Sequence, residues 1–426
     1  MLTVKDRYLY EDGKPFFWLG DTAWLMLEKL SEDEIRHYFR SRSLLGYNVV
    51  QIVLLYSLPD KSGIQNGMPV YDRNTQAPEY FDFAEKVVSL AESYGMYTAL
   101  LPAWGSYVTQ GFLNESNVSE YAEFLGKRFS KHKNIIWIMG GDVRGDEKFN
   151  VFDAFGKALK AQDPDHLMSF HPFGRTLSAR WFNSCSWLDF NMFQSGHRRY
   201  DQKMLQVWDD ETAIWYGEDN WKYVDENNSF TPVKPCLDAE PSYEGIIQGL
   251  HDFSQPYWEE KDVRRYAYWS VFRGACGFTY GHNSIIQFYD PEKGSGAYGV
   301  RESWKTALHA PGSTQLQFLK SLMESVDFTE GRVCDDYLLT PQKERHYHIS
   351  LFGGENFLFA YTFTGEAFKL SLKAYSGKKM EAFWMNPQSG VLTYEGTYEK
   401  KEEALFCPVK RYEDSNDWVL VLKEVN

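Results

Sequence analysis

The chain reads as an α/β protein, a (β/α)8 barrel over residues 1–330 followed by a small antiparallel β-sandwich over residues 331–426. Three observations predict this. Eight short apolar runs alternate with amphipathic stretches from about residue 15 to about residue 325, the pattern of repeated strand–helix units around a parallel sheet. No GxGxxG turn, the mark of an open doubly wound nucleotide-binding sheet, follows any of them. Beyond residue 330 the helical period gives way to short alternating patches separated by turn signals.

The barrel strands are expected at 16–20, 49–55, 97–103, 135–140, 167–171, 190–194, 233–239 and 277–281. Between the first two, Ser31-Glu32-Asp33-Glu34 forms a capping box that opens a helix with Ile35, Tyr38, Phe39 and Leu45 on its buried stripe, and Gly46 stops it. A second helix carries Phe83, Val87, Leu90, Ala91 and Tyr94 at helical spacing and ends at Gly95; a third carries Val118, Tyr121, Ala122, Leu125 and Phe129. The fourth buries Phe152, Phe155 and Leu159 and is ended by Asp163-Pro164, since proline cannot continue a helix. In the sandwich, strands are expected at 347–352, 357–363, 368–372, 380–384, 391–394 and 418–422, with Gly353-Gly354 and Asn386-Pro387 as turns.

Composition excludes several classes of function. Lys and Arg number 45 against 59 Asp and Glu, a net charge of −14 that repels a phosphate backbone, so no nucleic-acid partner is expected. No apolar run is long enough to cross a bilayer, and no membrane partner is expected. The first residues lack the apolar core of a secretory signal, so the chain as written is expected in the cytoplasm, or in the periplasm or outside the cell where a leader has been removed. The five cysteines are scattered without a CxxC pair. There is no HExxH and no His-x-His on the first strand, so neither a metal nor another cofactor is expected. No Gly-x-Ser-x-Gly elbow supports serine chemistry. Aromatic residues make up 17% of the chain, and flat rings stack on the apolar faces of sugars.

Barrel enzymes carry their chemistry at the C-terminal ends of the strands. Asp142 follows the fourth apolar run and Glu240 ends the seventh, which places the two acids across the barrel mouth from each other. Cleaving a glycosidic bond takes two carboxyl groups, one to protonate the leaving oxygen and one to attack the sugar or to activate water. These two are the candidate catalytic residues. Asp238, two residues before Glu240 and on the same side of the strand, is expected deeper in the barrel as a support. Candidate substrate-binding residues are Asp21, Trp24, Gln51, Trp104, His171, Gln194, Trp269 and His282. The tryptophans would stack on a sugar and the others would bond its hydroxyls, although Asp21 equally suits a role in locking the first loop.

Several long motifs resemble one family. Phe16-Phe17-Trp18-Leu19-Gly20-Asp21-Thr22-Ala23-Trp24, Trp137-Ile138-Met139-Gly140-Gly141-Asp142, Leu188-Asp189-Phe190-Asn191-Met192-Phe193-Gln194-Ser195-Gly196-His197 and Leu237-Asp238-Ala239-Glu240-Pro241 are similar to the apiosidase-like glycoside hydrolases, the DUF4038 group that includes glycoside hydrolase family 140. Tyr268-Trp269-Ser270 and Gly277-Phe278-Thr279-Tyr280-Gly281-His282 extend the likeness to the eighth strand, and the last segment resembles the small sandwich, labelled a collagen-binding domain, that accompanies these barrels. The resemblance implies a retaining mechanism with Asp142 as acid/base and Glu240 as nucleophile, and the chain is accordingly expected to be an exo-acting glycosidase on an oligosaccharide or glycoside. Release of apiose from a pectin side chain is the activity it suggests. Where related barrels have Asn-Glu at the end of strand four, this chain has Gly141-Asp142. Two rival readings stay open here: an inverting glycosidase for another sugar, and a carbohydrate-binding or scaffolding protein without turnover. The sequence leaves the oligomeric state open.

Overall fold

The structure is a computed structural model that describes residues 1–58, 64–65, 68–69, 78–202, 216–399, 402–409 and 415–425. The barrel strands are β1 (Trp18–Thr22), β2 (Val49–Val53), β3 (Tyr97–Leu101), β4 (Ile135–Val143), β5 (Met168–Pro172), β6 (Asn191–Gln194), β7 (Cys236–Asp238) and β8 (Gly277–Tyr280). Their order around the sheet is β5-β4-β3-β2-β1-β8-β7-β6, all parallel, with Thr176–Leu177 added antiparallel to β6. The seam between β5 and β6 is crossed by single bonds, Asp189 N–H to Met168 O at 2.8 Å and Ser169 Oγ to Phe190 O at 2.7 Å. Almost every strand residue is buried, as expected where helices cover a parallel sheet.

Helices form where the apolar spacing places them. Glu32–Leu44 starts with the predicted capping box and ends just before Gly46, whose φ of +80° lets the chain reverse. Val118–Phe129 and Phe149–Gln162 bury the predicted faces. Several strand boundaries differ from the sequence reading, two of them with a clear local cause. Residues 16–20 do not form one strand: Lys14–Phe16 closes a three-stranded antiparallel sheet with Leu2–Lys5 and Tyr8–Glu11, and the barrel begins at Trp18. The signal was Asp12-Gly13, both at positive φ, a two-residue hairpin turn. The seventh strand begins at Cys236 rather than 233, because Val233 is exposed and Pro235 has no N–H for the ladder.

The C-terminal unit is a six-stranded antiparallel sheet, ordered Arg332–Val333, Ile349–Gly353, Phe357–Thr362, Trp418–Glu424, Lys379–Met385, Leu392–Glu399, covered on one face by the pair Phe368–Ser371 and Glu403–Phe406. Side chains alternate across its central strands. Leu358, Ala360, Leu420 and Leu422 enter the sandwich interior, while Phe359, Tyr361, Val419 and Val421 join the barrel core. The barrel element they meet is helix Glu260–Phe272: Tyr268 stacks on Tyr361 with centroids 4.7 Å apart, and Phe272 on Phe359 at 5.9 Å. Beside them Arg264 and Asp417, both buried, pair through Nε–Oδ2 at 2.7 Å and Nη2–Oδ1 at 3.0 Å. Arg264→Ala removes a buried charged partner of Asp417 and is expected to cost about 3–5 kcal/mol, read as a lowered midpoint in urea unfolding. No helix among the described residues is long and apolar enough to cross a membrane.

Candidate active site

A pit opens at the C-terminal ends of the barrel strands and holds both predicted acids, Asp142 and Glu240. Asp142 reaches it through a break in the ladder. His171 pairs with Gly140 and Pro172 with Val143, so Gly141 and Asp142 are extruded from β4 as a bulge. Gly140, Gly141 and Asp142 all have positive φ, +87°, +100° and +54°. Glycine is needed at the middle position, where a Cβ would stand 2.8 Å from Cε3 of Trp104. The Gly141-Asp142 pair thus forms the bulge that carries the acid. Gly141→Ala is expected to push Trp104 and Asp142 apart and to lower kcat/KM at least about tenfold in a protein whose melting shows it still folded.

Glu240 follows the end of β7 and is 8% exposed. Its Oε1 lies 3.0 Å from His197 Nε2 and its Oε2 3.3 Å from His171 Nε2, one imidazole on each oxygen. Burial alone would raise its pKa, but the two histidines outweigh that and hold the carboxyl down at about 2. Asp142 behaves in the opposite sense. It keeps an exposed edge toward the pit, yet loss of hydration among the surrounding walls, and then repulsion from Glu240, push it up to about 6, against the weaker pull of His171, His197 and a hydrogen bond from Gln194. Two carboxyls that share one pit are thus biased toward different protonation states, Glu240 charged and Asp142 able to carry a proton near pH 6.

The remaining predicted residues divide into two groups. Trp24 and Trp104 line the pit edge to face, 5.3 Å apart, with Tyr56 against Trp104 at 5.1 Å. Gln194 lines it too, and His171 lies beneath Glu240 with its ring against Trp24. Four expected substrate-binding residues are placed elsewhere. Asp21 is fully buried and accepts bonds from Tyr38 Oη at 2.6 Å, Arg42 Nε at 2.5 Å and Thr22 N–H at 2.9 Å, so its carboxylate is consumed in joining β1 to helix Glu32–Leu44. Gln51 donates to Ala239 O at 3.0 Å, bracing the residue before Glu240 from inside the barrel. His282 accepts from Ser284 N–H through Nδ1 and faces Glu302 through Nε2 at 3.4 Å. Trp269 sits on helix Glu260–Phe272, fully buried at the sandwich against His348 and under the Arg265 guanidinium; its neighbourhood in sequence was polar, but its helix faces outward from the barrel. Asp238 takes the supporting place expected of it: buried, it accepts from Ser195 and from Asn220 at 3.0 Å, and burial pushes its pKa up to about 7.

The sequence reading missed His197, Tyr243, Tyr298, Arg175, Arg198 and an aliphatic patch of Ile246, Leu250 and Ile286, all lining the pit. His197 was within reach, since it directly follows Gln194-Ser195-Gly196. Tyr298 and Leu250 come from long loops with no periodic signal. Asp142, Arg175, His197, Leu250 and Tyr298 all hold positive φ, between +54° and +74°, which costs about 1–3 kcal/mol per residue and persists only where the surroundings enforce it. Among the described residues no group of three or more His, Cys, Asp or Glu is placed to hold a metal ion.

The family described as "Apiosidase-like, catalytic domain" matches residues 3–330, and a family named for a collagen-binding domain of a collagenase matches residues 333–423. Among solved structures, one described as a glycoside hydrolase superposes with a TM-score of 0.90 at 39% identity, over 99% of this chain and 96% of its own. A glycoside hydrolase family 5 protein from Bacteroides vulgatus ATCC 8482 gives 0.90 at 38% identity, over 99% of this chain and 93% of its own. An endo-β-1,4-mannanase from Thermotoga petrophila, 12% identical with a TM-score of 0.52 over 97% of this chain and 92% of its own, shares the fold alone. No curated protein matches the chain.

Proposed function

Because the chain belongs to the apiosidase-like glycoside hydrolases, we propose that it removes a terminal sugar from an oligosaccharide or glycoside by double displacement, with retention of the anomeric configuration. The observation that supports acid-assisted cleavage is the opposed bias of the two acids in one pit, Glu240 held ionised at about 2 and Asp142 lifted to about 6, and retention is what the likeness to the family adds. Glu240 attacks the anomeric carbon while Asp142 gives its proton to the leaving oxygen. Once Glu240 is esterified its charge is gone, and with it the repulsion that favoured the protonated form of Asp142. The same carboxyl then ionises more readily and takes a proton from the attacking water, which releases the sugar and restores both groups.

The surrounding side chains fit those steps. The amide of Gln194 orients Asp142, and His171 and His197 spread the charge of Glu240 before attack. Trp24 and Trp104 offer flat walls to a sugar face, and a pit in place of an open groove favours a chain end. An apiose-like residue or another plant-polysaccharide sugar is the substrate class proposed. Proton NMR of the first product formed from an anomerically pure aryl glycoside tests the stereochemistry. Retention is expected, and initial appearance of the opposite anomer refutes double displacement.

A further inference from the structure

We propose that the C-terminal sandwich positions the catalytic loop after β6: Arg345 and His346 grip Tyr200 and Glu218, and so hold His197 against Glu240. This rests on the reading of Glu240 as nucleophile.

His197 lies three residues before Tyr200, and the contacts run without a gap from the sandwich to that loop. His346 Nε2 is 3.0 Å from Glu218 Oε2, and Arg265 Nη2, from helix Glu260–Phe272, reaches the same oxygen at 2.7 Å. The other oxygen, Oε1, accepts the backbone N–H of Tyr200 at 3.3 Å. The Tyr200 ring stands 5.5 Å from the His346 ring, and the Arg345 guanidinium lies over it at 5.0 Å. The ring also packs closely on Gly217, where an added Cβ would come within 2.3 Å of Tyr200 Cδ1. Glu218 is 4% exposed and Arg265 fully buried, the latter beneath Phe363 of the sandwich at 5.2 Å. Arg345 itself sits at φ +55°, a strained conformation at the point where it covers Tyr200.

The need for such a grip lies in His197. Its backbone is at φ +74°, and it is tied to the β7 loop by Gly249 N–H to His197 O at 2.8 Å and by its own N–H to Ser242 Oγ at 2.9 Å. Those bonds tie His197 to the β7 loop, and three residues further on Tyr200 is tied through Glu218 to the sandwich. The sandwich is a firm base for this, because Phe359, Tyr361, Val419 and Val421 of its central strands are part of the barrel core. A hydrogen-bond donor that must stay on a nucleophile's oxygen has to be held within fractions of an ångström, and a loop braced on one side only does not achieve that.

The test uses the full-length chain. His346→Ala is expected to lower kcat on the order of tenfold, with KM altered less than about twofold. The acidic limb of its kcat/KM profile should move to higher pH as His197 loosens from Glu240. His346→Gln, whose amide nitrogen can reach the place of Nε2, should recover most of the rate and the original limb. Arg345→Ala, which removes only an exposed guanidinium, should show the same trends and replaces His346→Ala if that variant does not fold. Unchanged kcat and pH profile in the alanine variants overturn the proposal. So do equal losses in the Ala and Gln variants with no movement of the limb, which mark the contact as merely structural. If the nucleophile reading is at fault instead, Glu240→Gln keeps its activity; if only the grip is wrong, Glu240→Gln is inactive while the His346 variants are normal.

Discussion

Glu240→Gln is expected to give a folded protein that does not turn over, with kcat reduced at least about 10⁴-fold. Glutamine keeps the volume and one carbonyl oxygen to accept from His197 or His171, so the pit should survive and the melting temperature should change little. What disappears is the charge and the nucleophilic oxygen, because an amide cannot form the glycosyl ester. Activity on an activated aryl glycoside reads the first effect and thermal melting the second. Near-normal turnover in the folded variant would remove Glu240 from the reaction.

Asp142→Ala should separate substrates by leaving group. A sugar alkoxide cannot leave without a proton, and its release is expected to slow by about 10²–10⁴-fold. An acidic nitrophenol leaves unaided, so glycosylation by such a substrate should be nearly unimpaired, with the loss confined to the water step. The pH profile should change in the same variant. In the wild type the active form needs Asp142 protonated and Glu240 ionised. That form is lost as pH rises through about 6, where Asp142 gives up its proton, and again as pH falls toward about 2, where Glu240 gains one. These limbs belong to the coupled pair. In Asp142→Ala the upper limb should vanish, and for an activated substrate the rate should stay level through pH 6 and above. Equal losses for good and poor leaving groups, or an unchanged upper limb, would contradict the acid role.

Much of this arrangement is legible in the sequence, for physical reasons that also mark where legibility stops. The barrel is readable because each parallel strand is buried on both faces and so appears as an apolar run, and because helices such as Glu32–Leu44 carry their caps in the sequence. Asp142 and Glu240 are readable because strand ends in a barrel meet at one mouth. Asp21, near the end of β1, and Gln51, in the middle of β2, also stand on barrel strands, yet burial turned them toward internal partners, Arg42 and Ala239, and no local pattern distinguishes a strand group that faces the pit from one that faces a neighbouring element. Trp269 marks the same limit for aromatics, since an indole that closes a domain interface and one that stacks on a sugar look alike in sequence. Leu250 and Tyr298 reach the pit through left-handed backbone in long loops, a conformation that periodicity does not encode. The role of the sandwich was equally hidden, because its contacts with Glu218 join residues 128 positions apart.

The central claim is that Glu240 becomes covalently bonded to the sugar while Asp142 only moves protons. Incubation with an activated 2-deoxy-2-fluoro glycoside, which slows the water step more than the first, followed by peptide mapping in a mass spectrometer, measures this directly. One glycosyl group on the peptide at Glu240, absent from the Glu240→Gln protein, is the predicted result. A label on Asp142, or steady turnover without any adduct, would contradict it.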